Sequence, residues 1–485
     1  MSKTQVIYKD VSPGADEDAA VSTVGAAAFS VPASLPFGQG APAPIATLEP
    51  DLWKLDGTFV LREEQAVSFW SSELSGADGS FSAAPSITVS FSKQFSSLGV
   101  TLAFDTATGD YCGAVNIKWY QGTTLKADKN FTPDAATFFC SQKVLSFDKV
   151  VLTLNKTSKP FRYAKLEQII FGIYRHFDMT EMREASIVND MDLISAELPV
   201  STFRVTIDSR DKIEYMFQLK QPLEVLNNGN LIGVYYIDEY ARQAGSVYDL
   251  DCYNAFGVLD EIPFPGGVYT AKSAKTLLEE IIGGDFTLSF TAPDAPLTGA
   301  ILPGGTRRDA MQQVLFALGA CAATDGLRGI RVFNAPSAGG GTAGTDRTYT
   351  GASAEVASVV TSVKVTAHTY TQDSSGSVEI GGVKYKDTET VYTVTNPDVT
   401  ANDKQNVVEV TGATLVSTSN GQTVAQRVYD DHARRQTNRA KIVWSGEKLG
   451  ERITVPNAWG STEAGNIVKM EITLSNTVAA NLEVR

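Results

Sequence analysis

The sequence has little of the usual catalytic and metal-binding side chains: four cysteines and three histidines in 485 residues. Cys112, Cys140, Cys252 and Cys321 lie far apart with no CxxC pair. That spacing argues against metal or redox use and leaves buried reduced thiols as the expectation. Cys112 and Cys140 fall in one segment and could approach each other, but spacing does not establish a disulfide. His176, His368 and His432 stand in no HExxH, GxSxG or Cys–His context, so hydrolytic chemistry lacks its usual signature. No apolar run approaches a membrane span. The first ten residues are polar and charged where a signal peptide would be apolar, so cytoplasmic synthesis and assembly are expected. An excess of positive charge is missing too. The 41 Lys and Arg against 55 Asp and Glu leave −14, spread along the chain. Such a chain does not favour tight phosphate-backbone binding. Acidity of this size is also ordinary in soluble proteins.

What is present is apolar and aromatic enough, at 43% and 9%, to exclude wholesale disorder. The length implies two to four domains, and the pattern is mainly β with an α+β portion. Residues 1–45 start with a strand-like run at Thr4 to Tyr8 and continue into an Ala-, Pro- and Gly-rich stretch. This is an arm or linker, able to lend a strand to a later sheet or a neighbouring subunit. Residues 46–175 show short alternating runs, among them Ile87, Val89 and Phe91, and then Ala114 to Tyr120. They predict a β-sandwich.

Residues 176–262 hold the densest strand signals. Phe203, Val205 and Ile207 alternate with Arg204, Thr206 and Asp208, giving one apolar face. Asn227-Asn228-Gly229-Asn230 supplies residues that tolerate positive φ, so a hairpin is expected there. In 263–345 the period changes. Ala274, Leu277, Leu278, Ile281 and Ile282 form a helical stripe, ended by Gly283-Gly284. Thr306 and Asp309 form a capping pair that opens a second helix. Residues 346–485 return to strands, with one helix at about 422–436. The alternation from Val359 to Tyr370 places His368 on the exposed face, and His432 packs within its helix.

The order of "ASIVNDMDLISAELPVSTFRVTID", "QPLEVL", "GVYYIDEY" and "DLDCYNAFGVLDE" resembles the tail-tip or baseplate hub proteins of bacteriophages, in particular prophages of Gram-positive hosts. The resemblance covers most of the chain and rests on segment order. It implies two tube-like hub barrels, at 176–262 and 346–485, flanking an α+β domain, and a homotrimer joining a hexameric tail tube to the tip. The implied partners are distal tail and tail-tube proteins, the tape-measure protein, and tip or receptor-binding proteins; the implied location is the virion. The runs "PDLWKLDGTFVL", "FWSSELS", "GVTLAFDTATGDY" and "VNIKWY" are similar to galactose-binding-like jelly rolls of phage tail proteins, modules that often hold sugars.

Candidate sites follow from these readings. Trp53, Trp70 and Trp119, with Tyr120, could stack a bacterial surface glycan, whereas core packing is the stronger reading because aromatics dominate cores by area. Asp105 and Asp110, with Asp78 nearby, could ligate calcium, but they lack EF-hand spacing and surface carboxylates are the better reading. Gly304-Gly305-Thr306-Arg307-Arg308 could attract an anion at a helix start. With no GxxxxGK[ST] motif, a plain cap is preferred. No catalytic residue and no cofactor is expected. The structural hub ranks first, a carbohydrate-binding adhesion protein second, and a cell-wall hydrolase last.

Overall fold

A computed structural model describes residues 4–9, 15–40, 47, 49, 66–172, 174–208, 217, 219–244, 246–325, 329–400, 404–475 and 477–485. The chain forms two compact units, Ile7–His176 and Phe177–Arg485, the latter including Met1–Val6.

The first unit is all-β, built on a six-stranded sheet with a two-stranded ladder, Phe69–Trp70 with Lys165–Leu166, beside it. Its six-stranded sheet runs Ala20–Val24, Ser86–Ala103, Thr137–Lys156, Ala114–Gln121, Thr124–Phe131, with Gln168–Ile170 added to Ser86–Ala103. The two longest strands break register between Ser90 and Phe95 and again before Gly99; such irregularities bend a strand and let it wrap a core. That core holds an edge-to-face set, with Phe91 against Phe95, Phe147 and Phe171 at 5.1, 5.9 and 5.0 Å. Thr124–Phe131 was not legible from alternation, because both its faces are polar. Asn116 Nδ2 holds it by donating to Asp128 Oδ1 at 2.7 Å and Asn130 Oδ1 at 2.9 Å.

The second unit is organised around a 13-stranded sheet. From one side it runs Pro222–Asn227, Asn230–Ala244, Val247–Tyr253, Thr202–Asp208, Met182–Asp190, then Thr462–Thr473, Ala479–Val484, Gln436–Val443 and Ser353–Val356. Thr4–Lys9 joins it beside Pro222–Asn227. The two strand groups expected as separate barrels are therefore continuous. They meet where Met182–Asp190 pairs antiparallel with Thr462–Thr473, from Ser186 opposite Thr473 to Asp190 opposite Lys469. Backbone bonds Leu474 N–H to Ala185 O at 2.9 Å and Met191 N–H to Val468 O at 2.8 Å extend the ladder at both ends. The Asn227–Asn230 turn forms as expected, with Asn228 and Gly229 at φ 51° and 80°, the positive values a type I′ hairpin needs.

Alternation sorts this sheet into two faces. Ala185, Ile187, Phe203, Val205, Ile207, Leu250, Ile442, Met470, Ile472 and Leu482 are buried, each such large side chain contributing about 1.5–3 kcal/mol by leaving water. An α+β layer completes the unit. Helix Ala274–Ile282 is capped by Ser273 and stops at Gly283. Helix Arg307–Leu318 carries the Thr306–Asp309 capping box and ends on left-handed Gly319. Helix Gly421–Ala433 covers Ser362–Gln372 and Val383–Thr395, and all three helices feed one apolar cluster. So the segments 263–345 and 346–485 share a core.

Gly299 is one point where these segments touch closely. Ala300 N–H donates to Thr414 O at 3.0 Å, and Thr414 Oγ1 donates to Ala300 O at 2.6 Å. A Cβ on Gly299 (φ +151°) would lie 2.5 Å from Thr414 O and 2.9 Å from Leu415 Cα. Gly299→Ala is expected to destabilise the chain by about 1–3 kcal/mol in denaturant unfolding. Gly284→Ala, where a Cβ meets nothing within 4 Å, serves as the neutral control.

Candidate assembly face

The other face of the long sheet is hydrophilic across both strand groups. Arg439 reaches Glu355 at 2.9 Å on one neighbouring strand and Glu483 at 3.0 Å on the other. Lys469 sits opposite Glu483 in register and pairs with Glu471 at 3.3 Å. Beyond the junction, Arg204 meets Asp251 at 2.7 Å, Thr206 Oγ1 donates to Asp249 at 2.7 Å, and Arg183 pairs with Asp208. Period 2 is what brings these groups to one side, where most of the charged ones meet a neighbour of opposite sign. The side chains of Arg204 and Asp251 are 76% and 51% exposed, so their pairing adds little stability. The chemistry of this face is that of a wetted wall, with mixed charge and no apolar patch along this row of pairs.

Recesses lie in the same unit, two of them near this sheet. One, of about 650 Å³, is lined by Asn189, Tyr235, Asn254, Arg331, Trp444 and Glu447, among others. Several of its polar groups are committed to neighbours. Tyr235 Oη donates to Asn189 Oδ1 at 3.1 Å and Trp444 Nε1 to Glu447 O at 3.0 Å. Burial pushes the Glu447 carboxyl up, but the Ser445 N–H and the Arg347 guanidinium outweigh it and hold the group below its ordinary value. The other recess, of about 1030 Å³, contains Arg427, Arg434, Arg435, Arg452 and Arg485. Arg427 donates to Phe316 O, Arg435 to Ala357 O at 2.8 Å, and Arg485 to Asp431 O at 2.9 Å. These arginines tie segments together.

The residues singled out from sequence fall elsewhere. Trp70 and Trp119 are fully buried. Trp70 packs edge-on against Phe29 and Tyr163, both at 5.9 Å, and Trp119 belongs to the core of the first unit. Neither ring offers solvent a face on which a sugar could stack. Tyr120 is half-buried with the Lys149 ammonium 4.5 Å from its ring centre, and Trp53 lies outside the described residues. Asp105 and Asp110 are buried, not surface carboxylates. They converge on a cation already in the chain: Lys165 Nζ lies 3.0 Å from Asp105 Oδ2, 3.4 Å from Asp110 Oδ2 and 3.1 Å from Glu49 Oε2. The ammonium stands where calcium was considered. Asp78 is exposed and accepts from Ser80 N–H at 2.9 Å.

Arg307 and Arg308 are also occupied. Arg307 bonds Ile282 O at 3.1 Å and Asp285 at 3.0 Å, while Arg308 bonds Leu198 O at 3.1 Å and Asp260 at 2.9 Å. His368 departs from expectation, being only 5% exposed. Its strand alternates as read, but the chain around Thr411 to Val416 returns over it, and His368 N–H donates to Val416 O at 2.8 Å. His432 is half-buried, and the side chain of His176 lies outside those described. All four cysteines are buried and free; burial pushes the thiols of Cys112 and Cys140 up to about 12. Trp459, unremarked in the sequence, is 65% exposed. Asn457 Oδ1 fixes its turn by accepting from Trp459 N–H and Ser461 N–H, both at 3.0 Å.

No protein-family model and no curated protein matches the chain. Among solved structures it aligns with a tail protein from Neisseria meningitidis MC58 at 13% identity, over 64% of this chain and 93% of that one, TM-score 0.47. It aligns with the 43 kDa tail protein of prophage MuSo2 from Shewanella oneidensis at 11% identity, over 64% and 95%, TM-score 0.47. It also aligns with prophage tail protein gp18 from Listeria monocytogenes EGD-e at 12% identity, over 64% and 91%, TM-score 0.43.

Lys165 supplies the test of the buried charge cluster. Lys165→Met leaves Glu49, Asp105 and Asp110 without their shared cation, and a cost of about 3–5 kcal/mol is expected. Calcium should leave the melting temperature of the native chain unchanged. Burial opposes the Asp110 charge, but Lys159, Lys165 and Arg162 together hold its carboxyl below the ordinary 3.8. Its contribution is therefore complete above that value and is lost as pH falls through the depressed folded value. The excess stability of native over Lys165→Met should shrink in that acid window.

Proposed function

We propose that this chain is a structural subunit of a phage-type tail tip, a hub whose copies form a ring that continues a tail tube. The observation that supports this reading best is the single sheet built from both ends of the second unit, with one greasy face and one wetted face. A sheet that does not close on itself keeps two edges, and open edges call for a partner. The strand Ser353–Val356 is one such edge, pairing on one side with Gln436–Val443 and exposing Val356 at 54%. Three copies, each bringing two strand groups, give six around an axis, which is how a trimer meets a hexameric tube. The charged face then lines the channel. Its alternating signs give water and passing DNA no continuous basic track to hold.

In this reading the partners are further copies of the chain, tail-tube and distal-tail proteins, the tape-measure protein and the tip proteins. The particle is a virion tail assembled in the host cytoplasm, and the chain contributes architecture without catalysis. Light scattering on the purified chain should give three times the 52.0 kDa chain mass. Val356→Asp should lower the trimer fraction without lowering the melting temperature of the monomer. A strictly monomeric native chain at high concentration would remove the hub reading.

A further inference from the structure

Outside that face, one cluster combines a histidine with two carboxylates. His368 and Glu389 are directly opposed on the paired strands Ser362–Gln372 and Val383–Thr395, and Tyr370 opposes Asp387 one step along. Residues two apart share a face of a strand, so the four side chains form a square on one side of the ribbon. His368 Nε2 lies 2.9 Å from the Thr411 carbonyl oxygen. A carbonyl only accepts, so Nε2 carries the proton. His368 Nδ1 then faces Asp387 Oδ2 at 2.8 Å. A nitrogen lone pair and a carboxylate oxygen cannot stay that close unless something positive sits between them.

We propose that His368, Asp387 and Glu389 bind one divalent transition-metal ion, with Nδ1 as the nitrogen ligand and the two carboxylates as oxygen ligands. A proton between Nδ1 and Asp387 would balance only one of two adjacent negative charges. Among the described residues no lysine or arginine forms an ion pair with either carboxylate; Asp387 has His368 and the Tyr370 hydroxyl as its neighbours. A neutral imidazole, two carboxylates and a dication are balanced. The three donor atoms lie within 4.8 Å of one another. Zinc–ligand lengths of about 2.0–2.2 Å put ligand atoms about 3.3 Å apart, so His368 and Asp387 need part by only about half an ångström.

The outer contacts fit as well. A metal-bound imidazole ordinarily donates its second N–H to a carbonyl, which fixes its orientation, and Thr411 accepts that bond here. The Tyr370 ring stacks beside the imidazole, 6.1 Å away and within 13° of parallel. Tyr370 thus walls one side of the site. Glu389 is exposed, which leaves one side of the ion open to water. The site would pin the long ribbon to the segment at Thr411, and nothing in this depends on the hub reading.

The test is titration of the chelator-stripped full-length chain with Zn²⁺, followed calorimetrically and by thermal melting, with Co²⁺ as the spectroscopic probe. One equivalent per chain, a zinc-dependent rise in melting temperature and visible cobalt bands are expected. Glu389→Gln, at an exposed position, should keep the metal-free melting temperature yet weaken zinc binding tenfold or more, and Asp387→Asn should do the same. Absence of saturable binding to the native chain would overturn the site in favour of an imidazolium–carboxylate pair. Equal affinity in native, Glu389→Gln and Asp387→Asn chains would overturn it too, placing the metal elsewhere.

Discussion

The second unit depends on one strand pairing. Met182–Asp190 lies near its start and Thr462–Thr473 near its end, so their ladder closes a very long loop. The entropic cost of closure grows only slowly with loop length, but the contact must still hold once made. Here it is held by more than the five ladder positions. Ile187 sits opposite Ile472 on the buried face, so the hydrogen-bonded seam and the apolar core coincide. Separating the strands would expose both at once. That coupling turns two local β-meanders, neither of which closes on itself, into one element.

The seam also dictates where the α+β layer can go. One face of the sheet is buried along most of its length, and the opposite face carries charge except at the end marked by Val234, Tyr236 and Tyr253. There the helices pack, and Tyr236 meets Phe286 edge-on at 6.0 Å. Helix Gly421–Ala433 is then drawn into the same cluster through Val424, Ala425 and Val428. The three consecutive segments of this unit thus share one apolar cluster, with the helices of the middle segment packed against both of its neighbours.

Much of this was legible where the signal is local. Period 2 in Phe203 to Asp208, the Asn-Asn-Gly-Asn hairpin, the stripe on Ala274–Ile282 and the Thr306–Asp309 box each describe a few adjacent residues, and each appears as read. What failed was non-local. His368 was assigned to solvent by alternation, and a segment more than forty residues later covers it. Asp105 and Asp110 were assigned to a surface, and Lys165 brings them inside. The strand Ala479–Val484 escaped notice because Ala-Ala-Asn-Leu-Glu-Val carries little β-branched bulk; its place between Thr462–Thr473 and Gln436–Val443 fixes it. The tryptophans show the same limit, since a ring that could stack a sugar and a ring that fills a core look alike in sequence.

The charged face deserves a physical reason, because exposed ion pairs do not repay the ordering of their side chains. If stability alone mattered, scattered threonines would suit these strands as well. An array of alternating charges instead keeps a broad sheet wet on one side, and a wet sheet resists stacking face to face on another. In the proposed ring, association would fall to the edges, where Ser353–Val356 pairs on one side with Gln436–Val443. A molecule designed to tile side by side needs that combination: faces that repel company and edges that seek it. The sequence supplies charge on the face and puts Ala354 and the exposed Val356 on the edge strand, the combination that the proposed ring would need.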